Sequence, residues 1–253
     1  MSRNYSQCVR CPGKICYPFA GVEDLLPSFD EAPEFCPMRR MPEVIEAAGR
    51  RYESANIREF ARLASVQEAE CYEWTDEGIK TNIPRIEEII QFARKCHFRR
   101  LGVAFCVGLR EEARRTADIF EKKGFEVVSV NCKVGRVPKE SIGITGKEKI
   151  AGPDLLEPMC NPIVQSAVLN AEDVDLAVLL GLCVGHDTLF IKYSKAPCTV
   201  LAVKDRVTGH NPLAPLYLSK SPYYRRLETP AQPDAELSAD AEQWRKVDIT
   251  GED

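Results

Sequence analysis

The sequence predicts an α/β fold: a parallel sheet of about four strands with covering helices, preceded by a helical segment and a Cys-rich N-terminal arm. Three observations lead there. Four short apolar runs, at 101–106, 125–132, 176–183 and 199–204, are continuous rather than alternating, as strands buried on both faces are. Helical stretches separate them, which is the rhythm of βαβ units. Residues 1–41, rich in Cys and Pro, follow neither the helix nor the strand period.

Taken in order, the arm holds Cys8, Cys11, Cys16 and Cys36 and has too little apolar surface to order itself without a metal or a neighbour. Residues 42–98 read as helical. Ile57, Phe60, Ala61 and Ala64 form one apolar stripe, and Ile86, Ile89, Ile90 and Ala93 form a second, with a turn at Thr75-Asp76-Glu77-Gly78 between them. After the strand at 101–106, residues 111–123 make an amphipathic helix with Ala113, Ala117 and Phe120 inward, stopped by Gly124. The Val-rich strand at 125–132 leads into a long loop, 133–158. A helix at 161–171 follows, with Pro162 acceptable in its first turn and Val164, Ala167, Val168 and Ala171 on one face. The strand at 176–183, a short helix at 186–193 and the strand at 199–204 complete the sheet. Three parts result: the arm 1–41, an α/β domain 42–220 and a polar tail 221–253.

Composition narrows the function classes. With 253 residues, a net charge of -4 and 28% charged residues spread along the chain, nothing suggests a nucleic-acid partner. The N-terminus lacks the apolar core of a signal peptide, and the apolar run at 176–184 falls far short of the roughly 20 residues of a membrane helix. A cytoplasmic protein without membrane contact is expected. Eleven cysteines, an odd number, argue against a fully paired disulfide framework; in a reducing compartment, closely spaced thiols read as metal ligands or catalytic groups.

Cys8-x2-Cys11-x4-Cys16, with Cys36 further on, gives four thiolates, enough for one tetrahedral zinc shell. The spacing is also a reversed form of one seen in iron–sulfur proteins, so the metal stays open. A second group emerges only through the fold. Cys106, Cys132 and Cys183 each end a predicted strand, and Cys160 stands at a helix start. In an open α/β sheet, ligands bind beyond the carboxyl ends of the strands. Four soft ligands converging there suit an iron–sulfur cluster or zinc, although any one of them alone would read as a small buried residue. Cys71, Cys96 and Cys198 read as core positions.

The stretches MCNPIVQSAVLN and GLCVGHDTLFIKYSKAPCTVLAVKDRVTGHNPLAPLY, with FCVGLREEA, SVNCKVG and the C-x2-C-x4-C start, resemble an uncharacterised prokaryotic family described as metal-binding proteins. The resemblance covers residues 8 to about 217 and implies metal binding without a particular activity. More loosely, the strand-end cysteines are similar to those of iron–sulfur desulfidases and dehydratases, in which one iron stays open to substrate; that likeness is of fold alone.

Polar residues fall near the same edge. His186, Asp187, His210 and Lys133 are candidates for acid–base work, and Lys204, Arg206 and Asn211 for holding a substrate, because an anionic thiolate site is tuned by nearby cations. His97, at a helix end, reads as a capping or surface residue. No P-loop, dinucleotide fingerprint or nucleophile elbow is present. The expectation is therefore a metal-binding protein with an iron–sulfur cluster at the strand ends, supporting redox or Lewis-acid chemistry on a small molecule or exchanging electrons with a partner. The alternative is a non-catalytic zinc-binding structural or metal-sensing module. A thiol redox pair at Cys8 and Cys11 ranks below both, since the pair does not follow a strand.

Overall fold

The computed structural model describes residues 5–12, 16, 29–230 and 249. Two compact units divide the chain, Met1–Ala69 and Glu70–Asp253. In the first, helices α1 (Pro37–Arg40) and α2 (Pro42–Gly49) each begin on a proline, whose missing N–H costs nothing in a first turn. Helix α3 (Ala55–Glu70) follows the predicted periodicity, but Ile57 and Phe60 stay exposed and Gln67 is its buried residue. Periodicity identifies a helix; burial also needs an opposing surface.

The stretch expected to be helical throughout is interrupted in the second unit. Strands β1 (Tyr72–Thr75) and β2 (Gly78–Thr81) pair antiparallel, with Tyr72 opposite Thr81 and Trp74 opposite Ile79. The residues read as a turn are the tip of this hairpin. The Thr75 hydroxyl accepts from the Glu77 N–H at 3.3 Å and donates to the Gly78 carbonyl at 2.9 Å. The strands are aromatic and β-branched, as such strands tend to be, but too short to display a period.

Helix α4 (Arg85–Lys95) carries Glu87 and Glu88 in its first turn and Arg94 and Lys95 in its last, matching the helix dipole. It ends at His97, exposed and left-handed with φ 58°, as its expected capping place implies. Strand β3 (Arg100–Phe105), helix α5 (Arg110–Lys122), strand β4 (Glu126–Asn131), helix α6 (Pro162–Ala171), strand β5 (Leu176–Leu182), helix α7 (His186–Tyr193) and strand β6 (Cys198–Val203) follow. A short helix α8 (Ala214–Tyr217) comes last. The sheet is four-stranded, in the order β4-β3-β5-β6, with parallel pairing throughout. The chain goes from β3 outward to β4, then crosses back to β5 on the other side. The point where the order reverses lies between β3 and β5.

Alternate residues of the central strands serve two cores. Leu101 and Val103 of β3 with Leu176 and Val178 of β5 meet Ile89, Ile90, Ala93 and Phe120 from α4 and α5. Ala104, Ala177 and Leu179 face the other way, toward Leu169 of α6 and Phe190 of α7. All seven residues of β5 are buried, as its unbroken apolar run demands. Gly102 lets α6 come close, since a Cβ there would stand 2.8 Å from Leu169 Cδ1. The buried face of α6 differs from the expected one. Pro162, Gln165, Ser166 and Leu169 turn inward, Val164 and Val168 are half-buried, and Ala167 and Ala171 are exposed. Leu169 packs over Gly102, and Gln165 turns inward toward the backbone carbonyls of Phe105 and Val130. Among the described residues no helix is long and apolar enough to cross a membrane. Of the predicted tail, residues 221–230 and Ile249 are described, and the Tyr193 hydroxyl donates to the Ile249 carbonyl at 3.2 Å. Its other residues lie outside the described ones.

Candidate metal centre at the sheet edge

Cys106 is the first residue after β3 and Cys132 the first after β4. The parallel register pairs Phe105 with Asn131, so the two cysteines leave the sheet side by side. Their backbones stay in the ladder: the Cys106 N–H donates to the Leu180 carbonyl at 3.1 Å, and the Cys132 N–H to the Phe105 carbonyl at 2.9 Å. Cys160 returns to the same place from the long loop. The Asn161 N–H donates to the Cys132 carbonyl at 2.8 Å, while the Asn161 side chain caps α6 by accepting from the Val164 N–H. Cys160 Sγ lies 3.8 Å from Cys132 Sγ. Cys106 and Cys132 are buried, sharing an apolar cluster with Leu109, Ala113 and Leu180, and Cys160 packs against that cluster.

Cys183 is the first residue after β5, and its carbonyl accepts from the N–H groups of His186 and Asp187 as α7 begins. Its sulfur accepts from Arg206 Nη2 at 3.2 Å. Arg206 rides on a turn after β6. In that turn Asp205 accepts from the N–H groups of Val207 and Thr208, His210 Nδ1 accepts from the Asp205 N–H at 3.1 Å, and the Asn211 carbonyl accepts from the Thr208 hydroxyl at 2.7 Å. His210 and Asn211 thus shape the turn that delivers Arg206. Asp187 likewise bonds locally, to the Thr188 N–H at 2.8 Å.

Four cations surround the sulfurs. Lys204, the first residue after β6, stands close enough to Cys106 to favour its thiolate. His186 bonds Cys160, and Lys133 lies close enough to bias it, with Nζ donating to the Pro158 carbonyl at 2.6 Å. Arg206 feels the charges of Cys106 and Cys160 as well as its bond to Cys183. Gly108 lies beside this arrangement, and a Cβ there would meet Lys204 Nζ at 3.5 Å and Cys106 Sγ at 3.9 Å, both ordinary contact distances.

The thiols divide their protons unequally. Cys132 sits between Cys106 and Cys160 and shares hydrogen bonds with both, which, with burial, pushes its pKa up. Cys106 is pulled down to about 5, by its bond with Cys132 first and then by the Gly108 N–H and Lys204, against burial. Cys160 is pulled down to about 4, by Cys132 first, then His186 and Lys133. The Cys160 thiolate in turn raises His186. At neutral pH this is a protonated thiol between two thiolates, with Lys204, Lys133, His186 and Arg206 close by.

Gln165 is a residue beside the candidate site that the sequence reading missed. Fully buried on α6, it donates through Nε2 to the carbonyls of Phe105 at 3.2 Å and Val130 at 2.7 Å, joining the ends of β3 and β4 one and two residues before the cysteines. Its Oε1 is buried without a hydrogen-bond partner. The available signal was a long amide in a largely apolar helix that starts two residues after a cysteine.

The N-terminal thiols are arranged differently. Cys8 opens a short 3-10 turn and is exposed, and the Cys11 N–H donates to its carbonyl at 3.1 Å. Cys16 Sγ lies 3.1 Å from Met38 Sδ, and Cys36 is buried before α1. Residues 13–15 and 17–28 lie outside the described ones. Cys71, Cys96 and Cys198 are half-buried, with Cys198 against the core on the α6–α7 face. Among the described residues, no three or more His, Cys, Asp or Glu side chains are grouped so as to hold a metal ion as they stand. Holding one at the sheet edge requires side-chain rotation, with Cys183 turning in from Arg206.

The sequence pattern of a family described as protein of unknown function (DUF1847) matches residues 36–201. An uncharacterized protein of Methanocaldococcus jannaschii is 41% identical over 161 residues, covering 64% of this chain and 81% of that protein. No solved structure matches the chain.

Proposed function

Because the chain belongs to the DUF1847 family, whose function is unknown, we propose its function from the site alone: a metal-binding protein that holds its centre through Cys106, Cys132, Cys160 and Cys183. One observation carries this reading. Sulfurs from separate segments meet beyond the strand ends, and Cys132 and Cys160 stand 3.8 Å apart. Four sulfurs at about 2.3 Å from one zinc ion lie about 3.8 Å from one another, so the pair already has the spacing of one edge of such a tetrahedron. A soft thiophilic cation fits this donor set, and two of the thiols are already disposed to ionise, as a ligand must.

A second reading, an iron–sulfur cluster on the same cysteines, has its own support. The Val107 N–H points at Cys132 Sγ at 3.4 Å, the Gly108 N–H bonds Cys106, and four cations stand around the sulfurs. Hydrogen bonds and charge of this kind tune a cluster's potential, which a purely structural zinc site does not need. Bound metal would supply Lewis acidity or an exchangeable electron. The protein's own groups then act in set ways. Lys133 and His186 neutralise Cys160, Lys204 neutralises Cys106, and exposed Arg206 is placed to hold a small anion, at the sheet's switch point. Cys8, Cys11, Cys16 and Cys36 form a separate proposed thiolate set.

The test is iron, zinc and acid-labile sulfide analysis, with a visible spectrum, on protein purified without oxygen, beside the variant Cys132→Ser. Colourless protein that loses one zinc in the variant supports the tetrahedral reading. Brown protein that loses iron and sulfide together supports the cluster. Metal content unaffected by Cys132→Ser removes the sheet-edge site, and any metal the variant keeps belongs to the N-terminal set.

A further inference from the structure

The pair at 3.8 Å has a second property. Forming an S–S bond of about 2.05 Å requires these sulfurs to close by roughly 1.8 Å, a distance within reach of side-chain rotation. The Asn161 N–H to Cys132 carbonyl bond already holds the two segments together. The pair is asymmetric. Cys132 is 3% exposed, whereas Cys160 is partly exposed and faces His186 and Lys133. Cys106 makes a poorer partner for Cys132, because both are pinned by the parallel ladder of β3 and β4.

We propose that, in the metal-free chain, Cys160 and Cys132 form a reversible disulfide, making the sheet edge a dithiol that exchanges with small-molecule disulfides of the glutathione class. The inference rests on the sulfur geometry and stands apart from the metal reading. The Cys160 thiolate attacks one sulfur of the external disulfide. Its S–S bond breaks, one thiolate leaves, and a mixed disulfide remains on Cys160. Cys132 gives its proton to the thiolate released first and attacks Cys160 Sγ, breaking the mixed disulfide and releasing the second thiolate. The chain loses two electrons and one proton to a disulfide that becomes one thiol and one thiolate. Two of the four proposed metal ligands are then blocked until a thiol reductant restores them.

The experiment uses the full chain, stripped with a chelator without oxygen, then incubated with oxidised glutathione. Remaining thiols are alkylated and peptides mapped by mass spectrometry. The expected result is a peptide cross-linked through Cys132 and Cys160, with two glutathione thiols released per cross-link. Cys132→Ser should stop at the glutathione adduct on Cys160. A Cys106–Cys132 cross-link, or a stable Cys160 adduct in the unaltered chain, overturns the proposal. So does incubation with oxidised glutathione that leaves both thiols free. A cross-link in protein that never retains metal would leave the exchange standing and the metal reading fallen; the reverse pattern would do the opposite.

Discussion

Cys160 should react with an alkylating agent at a rate almost independent of pH from about 5.5 to 9 in the metal-free protein. Its thiol is pulled down to about 4 by Cys132, His186 and Lys133. At pH 6 an ordinary thiol of pKa about 8.5 is only about 0.3% thiolate, whereas Cys160 is about 99%, an advantage of roughly 300-fold. Nucleophilicity falls with basicity. A Brønsted coefficient of about 0.4–0.5 over about 4.5 pH units removes roughly 100-fold. The net rate advantage at pH 6 is therefore only about threefold, so the shape of the profile is the diagnostic. A model peptide thiol gains roughly 250-fold between pH 6 and 9 as it ionises, while Cys160 gains almost nothing. The assay is iodoacetamide labelling at limiting reagent, with the Cys160 peptide quantified by mass spectrometry. His186→Asn removes an imidazole that favours the thiolate and should move a rising limb into the window. A Cys160 rate that climbs tenfold per pH unit up to pH 8 would refute the proton distribution derived for the three sulfurs.

Phe120, fully buried and edge-on to Phe125 with ring centroids 6.5 Å apart, should cost about 3–5 kcal/mol when cut to alanine, read as a lower denaturant midpoint at unchanged slope. Gly181 has φ 68°, and a Cβ there would stand 2.8 Å from Leu109 Cδ1, so Gly181→Ala should cost about 1–3 kcal/mol and loosen the apolar cluster around Cys106. Equal stability of Gly181→Ala and the parent in urea would contradict that reading. Glu157 is held down to about 2, first by Lys139, 2.9 Å away, and then by the Ala151 N–H. A carboxylate depressed in the fold stabilises it above its unfolded pKa of about 4.3, and the contribution is lost as pH falls toward 2. Pepsin should accordingly begin to cut the 133–158 loop between pH 4 and 2, while Glu157→Gln is cut equally across that range.

Much of the candidate site was legible because of where strands end. Cys106, Cys132 and Cys183 each close a continuous apolar run, and a parallel sheet brings the ends of such runs to one edge whatever their order. The order itself, β4-β3-β5-β6, was not legible. Neighbour choice is settled by crossover geometry and by helices such as α6, and no single strand encodes it. The hairpin at 72–81 escaped because four-residue strands carry too little pattern to outweigh the helical signals on either side. Gln165 escaped for the opposite reason. A polar residue in a helix reads as solvent-facing, and its inward turn is explained only by the two strand-end carbonyls it satisfies. His210 and Asn211 were close in sequence to the edge, yet their bonds go to their own turn, and only the position of Arg206 connects them to the sulfurs.

The four sheet-edge cysteines are spread from position 106 to position 183, one on each of four segments that meet only when β3, β4 and β5 have paired. An unfolded chain would have to close several long loops at once to chelate with them. Cys8 and Cys11, three positions apart, face no such barrier. During synthesis the closely spaced thiols of the arm emerge before the sheet does, and the edge quartet exists only once residue 183 has been made. Any cation at the edge therefore arrives at a finished sheet: it can delay unfolding, but it cannot seed folding.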